Sequence, residues 1–295
     1  MKSVERHGAK LVFNIFAYII LTLTAIICTL PFVMVVTGSF SLNSDIVRYG
    51  YLLLPRTWTL DAYVAIFRFP QAILRSYGVS ITVTVVGTLL GLIIMSMAGY
   101  ALQRRGLRHA NKITFFIYFT TLFSGGMVPW YMLITGMGMK DSLWALILPS
   151  MCSSFYILLM RNFMRQLPES LLESAKIDGA GDFRIFWRIV IPLSTPVIAT
   201  IGLFLGLSYW NNWYNASLFI KDVTKWPLQY RLYSILSEQM SVISMGAENA
   251  SSGLSAPTES VKLANAVLST GPILLLYPFL QRYFVQGITI GAVKG

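Results

Sequence analysis

Polar residues are sparse along this chain and arrive in bursts. Six apolar runs dominate it: Leu11–Val36, Tyr77–Leu102, Ile113–Ile134, Leu143–Met160, Ile189–Tyr209 and Leu263–Leu280. Each is continuous rather than alternating. Each is near or above the ~18–20 residues a helix needs to cross a hydrocarbon core about 30 Å thick. A helix satisfies its own backbone in lipid, whereas a barrel strand alternates apolar and polar positions. The pattern predicts an all-α integral membrane protein with six transmembrane helices. The first run stands where a signal peptide would, but it is long for one and lacks a clear small-residue cleavage site before Thr37-Gly38. It reads as a retained span.

The polar stretches between the runs are unequal. Two are long. In Thr37–Ser76, Pro55 breaks the chain and Thr59 or Asp61 can cap a short helix from Ala62 to Phe69. In Trp210–Lys262, Trp226-Pro227 precedes a short helix over Tyr230–Met240. Ser/Gly/Ala/Asn-rich sequence from Ser241 to Ser260 then predicts a segment flexible on its own. Gln103–Lys112 is a short basic turn, which by itself is a membrane anchor. The segment 168–191 has more structure. Pro168 suits a first helical turn, with Glu169 favourable to the dipole there. Pro168, Leu171, Leu172 and Ala175 recur at i, i+3, i+4 and i+7 and form one apolar face. Gly179 is a natural terminator, and Asp182 can cap a second helix, Phe183–Ile191, that enters the fifth span at Pro192.

Composition agrees with the membrane reading. The chain is 55% hydrophobic and 12% charged, with mean hydropathy +0.64; a soluble domain carries about twice that charged fraction. The net charge of +11 is distributed in a way that argues against nucleic acid. Fourteen Lys and Arg fall in the short segments on the side of the N-terminus, and nine fall in the long segments opposite. The positive-inside rule therefore places both termini in the cytoplasm. Cys28 and Cys152 lie within apolar runs and read as small buried apolar residues. His7 and His109 are isolated in basic segments, and no spacing on the chain suits a metal. No Walker-type phosphate loop occurs, so the chain is not expected to bind ATP itself.

The most specific segment is Glu173-Ser174-Ala175-Lys176-Ile177-Asp178-Gly179-Ala180, followed by Ile189-Val190-Ile191-Pro192. An acid, a small residue, a glycine four positions later and a proline thirteen beyond it together resemble the EAA loop of bacterial ABC importer permeases. Ser174 stands where alanine is commoner, a small-for-small change. Trp58-Thr59-Leu60-Asp61-Ala62-Tyr63, Ser124-Gly125-Gly126-Met127-Val128-Pro129, Trp210-Asn211-Asn212-Trp213-Tyr214-Asn215 and Phe284–Gly295 extend the resemblance over essentially the whole chain. They are similar to carbohydrate-uptake permeases like the second membrane subunit of the maltose importer, in the branch serving complex saccharides such as pectin- or alginate-derived oligosaccharides.

The resemblance implies a type I importer fold. A second homologous permease completes the pore, two ATPase subunits dock beneath with ATP and Mg, and an extracytoplasmic sugar-binding protein delivers cargo. It divides the chain into residues 1–74, a permease core at 75–283 containing the loop at 168–191, and a tail at 284–295. It assigns ATPase coupling to Leu171, Leu172, Glu173, Ser174, Ala175, Asp178 and Gly179. Binding-protein contact falls to the loop carrying Ser241, Ser244, Gly246, Asn249, Ser252 and Gly253, and tail contact with the ATPases to Gln286, Gly287 and Lys294.

Trp210, Asn211, Asn212, Trp213 and Asn215 are candidates for a pore mouth, because rings stack on sugars and carboxamides both donate and accept hydrogen bonds. An interfacial aromatic belt has the same composition. The rival reading is an ion-coupled secondary transporter of a small polar solute. Coupling to protons normally needs ionisable groups within the membrane, and all six runs lack Asp, Glu, Lys, Arg and His. The same absence opposes an intramembrane enzyme.

Overall fold

The computed structural model describes residues 2–68, 70–104, 106–244 and 259–274. These are helices and turns, apart from one isolated antiparallel bridge between Ser41 and Trp58. Among the described residues, two helices are single, long and apolar enough to cross a bilayer: Phe13–Ser39, within the longer helix Lys2–Ser39, and Pro70–Gln103. Two bent pairs qualify if each is counted as one span.

The expected runs depart from straight spans where proline and glycine interrupt them. Ile113–Ile134 is not one helix. Ala110–Thr120 ends, the chain turns through Ser124-Gly125-Gly126, and Met127–Gly136 begins anew. Gly126 adopts φ +81, and Pro129, which has no N–H, is tolerated only within the first turn of the second helix. In Leu143–Met160, Leu148-Pro149-Ser150 forms a tight 3₁₀ turn, and the flanking segments Trp144–Ser150 and Ser154–Met164 meet at 47°. The expected span from Ile189 divides at Ser194, where Asp182–Leu193 and Thr195–Trp210 meet at 79°. Residues Phe186–Val190 there form a π turn, a single-turn widening common near functional sites. Helix 259–274 covers the first part of the last run, the remainder of which lies outside the described residues.

The chain forms two compact units. The first gathers the described residues up to Pro70 with those of 235–244 and 259–271. Among the described residues, Phe13–Ser39 buries none of its most apolar window. Cys28 on this helix is exposed, as is Cys152, which corrects the expectation that both are buried. In a membrane protein the bilayer itself is the apolar solvent, so apolar character does not predict burial within the chain. The segment after this helix is folded. Thr59 N–H donates to Phe40 O (2.9 Å) and Asp61 N–H to Thr59 Oγ1 (3.1 Å). The short helix runs Asp61–Ile66 and ends before the expected Phe69. Glu259 accepts from Tyr51 OH (3.0 Å) and Lys262 Nζ (2.8 Å), while its own N–H donates to Asn43 Oδ1 (2.8 Å).

The second unit comprises the described residues of Gln71–Ser234 together with Pro272–Leu274. Its core joins Pro70–Gln103 to Ser154–Met164 and Thr195–Trp210 through Val83, Met95, Met160, Ile201, Leu205 and Tyr209. Close approach is possible because Pro70–Gln103 presents glycines there. A Cβ at Gly87 would lie 2.5 Å from the Tyr209 ring, and one at Gly91 2.7 Å from Leu205. Tyr209 OH reaches across to donate to Ile147 O (2.7 Å). Small residues serve this purpose wherever helices must meet in lipid, which supplies no hydrophobic drive of its own.

Candidate functional site

The 168–191 segment forms the expected helix, bend and helix. Glu169–Ile177 starts after Pro168, with Glu169 in its first turn and Lys176 in its last, both favourable to the helix dipole. It closes with a paired set of backbone bonds. Ala180 N–H donates to Ala175 O (2.9 Å) and Gly179 N–H to Lys176 O (3.0 Å), with Gly179 at φ +77. This is the Schellman closure, in which a left-handed residue just past the helix satisfies its last carbonyls. Ala175 and Ala180 both pack against the core, supplying the apolar contact that accompanies it.

The second helix also begins differently from expectation. Gly181 holds the N-cap position, and Asp182 is the first helical residue. The Asp182 carboxylate instead accepts from Arg104 Nη1 at 2.6 Å, and the same nitrogen donates to Tyr100 OH at 2.6 Å. The hairpin is thus tied to the end of Pro70–Gln103. The pair is partly solvated and worth about 0–1 kcal/mol, so it sets register more than stability.

The apolar face also resolves differently. Leu172 and Ala175 turn inward and pack against the core. Leu171 is 47% exposed, and Ile177, which periodicity had not singled out, is 87% exposed. Ser170, Ser174 and Ile177 recur at i, i+4 and i+7 along the outward face, and Phe183 adds a further exposed apolar group at the start of the second helix. Glu173 is exposed and makes no ion pair among the described residues. Glu169, Leu172, Glu173 and Lys176 line a cavity of about 650 Å³ behind the hairpin.

The second candidate cluster separates into different local roles. Trp210 is buried with Leu228 and Leu232, and Tyr77 and Ile273 pack against them. Asn212 Oδ1 caps the helix Trp213–Phe219 by accepting from Asn215 N–H (3.2 Å). Asn211 Oδ1 accepts from Gln229 Nε2 (3.3 Å). Trp213 stacks on Tyr233 with ring centroids 4.4 Å apart, and both rings retain exposed surface. Of the loop residues, Ser241 and Ser244 belong to the helix Leu228–Ser244, which runs further than the expected Tyr230–Met240. Gly246, Asn249, Ser252 and Gly253, and the tail residues Gln286, Gly287 and Lys294, lie outside the described residues.

Asp141 was not legible in the sequence. It sits at φ +60, a conformation Asp tolerates better than most residues. Its carboxylate accepts from Asp222 N–H (3.0 Å) and Lys221 N–H (3.1 Å), while Lys225 Nζ donates to its carbonyl (2.8 Å). The amide bonds, led by that from Asp222, and the nearby Lys225 charge hold the carboxyl below its usual value of 3.8. A carboxylate whose folded pKa is depressed contributes stability above the unfolded value and loses it as pH falls through the folded one. Asp141→Asn should therefore lower the melting temperature at pH 7. The gap to wild type should narrow below about pH 4. Tryptophan-fluorescence melts at the two pH values measure this, and a gap independent of pH would remove the charge from the explanation.

Comparison with known proteins places this geometry. The family model described as "Binding-protein-dependent transport system inner membrane component" matches residues 9–290. The polygalacturonan/rhamnogalacturonan transport system permease protein YtcP of Bacillus subtilis is 41% identical over 287 residues, 96% of this chain and 98% of that one. Protein LplC of the same organism is 42% identical over 99% of this chain and 98% of its own length. A crystal structure of a bacterial ABC transporter that imports the acidic polysaccharide alginate contains a chain that superimposes with TM-score 0.79. It is 28% identical and covers 92% of this chain and 96% of that one. A helical chain with membrane-length apolar helices and an exposed, glycine-closed hairpin, matched from end to end, belongs to the binding-protein-dependent transport system inner membrane components and has the type I ABC importer permease fold.

Proposed function

We propose that this chain is the sugar-conducting permease of an ATP-driven importer and that its cargo is an oligosaccharide of acidic plant or algal polysaccharide. The single observation that carries the cargo class is end-to-end identity of 41% to a polygalacturonan/rhamnogalacturonan permease, and the likeness to an alginate importer has the same sense. In this reading the chain lies in the bacterial cytoplasmic membrane with six spans and both termini inside. A second permease completes the pore. Two ATPase subunits hold ATP and Mg, and an external binding protein delivers sugar. The divisions 1–74, 75–283 and 284–295 separate the peripheral span, the core and the tail.

Glu169–Ile177 is the coupling helix. Its outward face, with Leu171, Ser174 and Ile177, enters the ATPase, and Glu173 orients it. Asp178 and Gly179 set the bend, while Leu172 and Ala175 carry the motion inward through their packing. Closure of the ATPases on nucleotide favours one arrangement of the spans, and that preference is the whole of the drive. At the opposite end Trp213, stacked on Tyr233, offers an aromatic surface for a sugar ring, with Asn211 and Asn215 alongside. Trp210, packed beside Leu228, and Asn212, capping the helix that Trp213 begins, hold this segment in place. The loop from Ser241 to Gly253 meets the binding protein, and Gln286, Gly287 and Lys294 reach the ATPases. This subunit performs no chemistry itself.

The test is the reconstituted four-component complex in liposomes. Uptake of labelled oligogalacturonides should require the binding protein and ATP hydrolysis and should survive collapse of the ion gradients. Uptake that follows the gradient and ignores ATP would establish the ion-coupled alternative.

A further inference from the structure

The cavity behind the hairpin is strongly basic and has no assigned role. Arg104, Arg108, Lys112, Arg161, Arg165 and Lys176 all line it, against the two acids Glu169 and Glu173. Arg104 is engaged by Asp182 and Tyr100, and Arg161 Nε donates to Leu102 O (3.2 Å). Arg108, Lys112, Arg165 and Lys176 make no hydrogen bond or ion pair among the described residues and are exposed. Gln103 also lines the cavity, and its side-chain Nε2 is buried without a partner among the described residues. Four cations without a partner among the described residues thus line the same space.

The rest of the wall mixes His109 and Asn111 with Leu102, Leu107, Leu167 and Leu172, of which Leu107 is exposed. Its lining includes the end of Pro70–Gln103 and the start of Ala110–Thr120. One turn further along the second helix, Ile113, Phe115 and Phe116 are exposed apolar residues. The site therefore lies at the level where lipid-facing surface gives way to basic surface. An anion alone would satisfy the bases and leave Leu107, with nearby Ile113, in water. An amphiphile satisfies both, and basic pockets between membrane helices on the cytoplasmic side suit anionic headgroups.

We infer that this cavity binds the phosphate headgroup of an anionic phospholipid of the inner leaflet, resting on the orientation proposed above. The lipid would brace the inner side of the Glu169–Ile177 helix through Lys176 and leave its outward face to the ATPase. Acidic lipid would then tune how firmly the coupling helix is held.

The test uses the assembled complex in nanodiscs of phosphatidylcholine with or without phosphatidylglycerol, read by native mass spectrometry of retained lipid. Arg108→Gln with Lys112→Gln should weaken phosphatidylglycerol retention by on the order of tenfold, while Arg108→Lys with Lys112→Arg should restore it. ATPase subunits should stay bound in both variants. Equal retention by wild type and the Gln variant overturns the inference. Displacement of the lipid by inorganic phosphate would make this a free-anion site, which also overturns it. Joint loss of lipid and ATPase from the Gln variant would do the same, assigning the bases to protein docking or to folding. A complex that keeps its ATPases and its uptake but retains no phosphatidylglycerol leaves the importer reading intact and removes only this one.

Discussion

Gly179→Val is expected to leave the protein inserted in the membrane and to weaken ATPase retention by about tenfold or more. The reason is conformational rather than steric. A Cβ at Gly179 would meet nothing within 4 Å, but φ is +77. A β-branched residue in the left-handed region costs roughly 1–2 kcal/mol, and about 1.4 kcal/mol is a tenfold change in an equilibrium. If the bend gives way, the two backbone bonds from Gly179 and Ala180 are lost with it, and the outward face of the helix loses its angle. Asn, which visits this region readily, should be close to wild type, with Ala between Asn and Val. Copurification of the ATPase subunits, with sugar-stimulated hydrolysis and uptake measured on the same preparations, gives the order. Sugar binding to the external binding protein should not change. Wild-type retention and pumping with Val at 179 would reduce the hairpin to a connector.

Ile177→Asp should have an effect of similar size for a different reason. Ile177 is 87% exposed in the isolated chain, an arrangement that water does not favour for an aliphatic side chain. If the ATPase buries it, the contact is worth about 1.5–3 kcal/mol, and replacing it with a charge adds a desolvation cost on top. ATPase affinity is expected to fall by one to two orders of magnitude on this basis. Glu173→Lys, on the neighbouring face, should cost much less, because a solvated rim pair is worth about 0–1 kcal/mol. Titration of the ATPase onto the permease in detergent distinguishes them. Equal, small losses for both variants would mean that the docking surface lies elsewhere.

The membrane class, the long first and second spans and the hairpin were all legible in the order of residues. Continuous apolar runs have few physical outcomes other than membrane helices, and Pro168, Glu169, Lys176 and Gly179 mark helix ends by local chemistry that needs no tertiary partner. Glycine at 179 acts through its own backbone, so its role was readable in advance. The breaks at Gly126 and Ser194 were also written locally, in Gly-Gly and in the prolines around them. Hydrophobicity averaged over a span conceals such punctuation, so a count of apolar runs described straight helices where the chain bends by 47° and 79°.

Tertiary structure decided which side of each element faces what. Leu171 and Leu172 are adjacent and equally apolar, yet only Leu172 packs inward, because a helix turns about 100° between them. No property of either residue distinguishes them until the hairpin is seated on the core. Asp182 had the chemistry of a cap and became the partner of Arg104, 78 residues away in sequence. Trp210 had the composition of a sugar platform or a membrane belt and is buried beside Leu228 and Leu232. Asp141 carried no signal, since its partners are backbone amides at Lys221 and Asp222 that any sequence would supply. Local backbone preference and hydrophobic length are properties of a segment and can be read from it. Facing, pairing and exposure are properties of two segments brought together, and for this chain they were settled only by the packing of its helices.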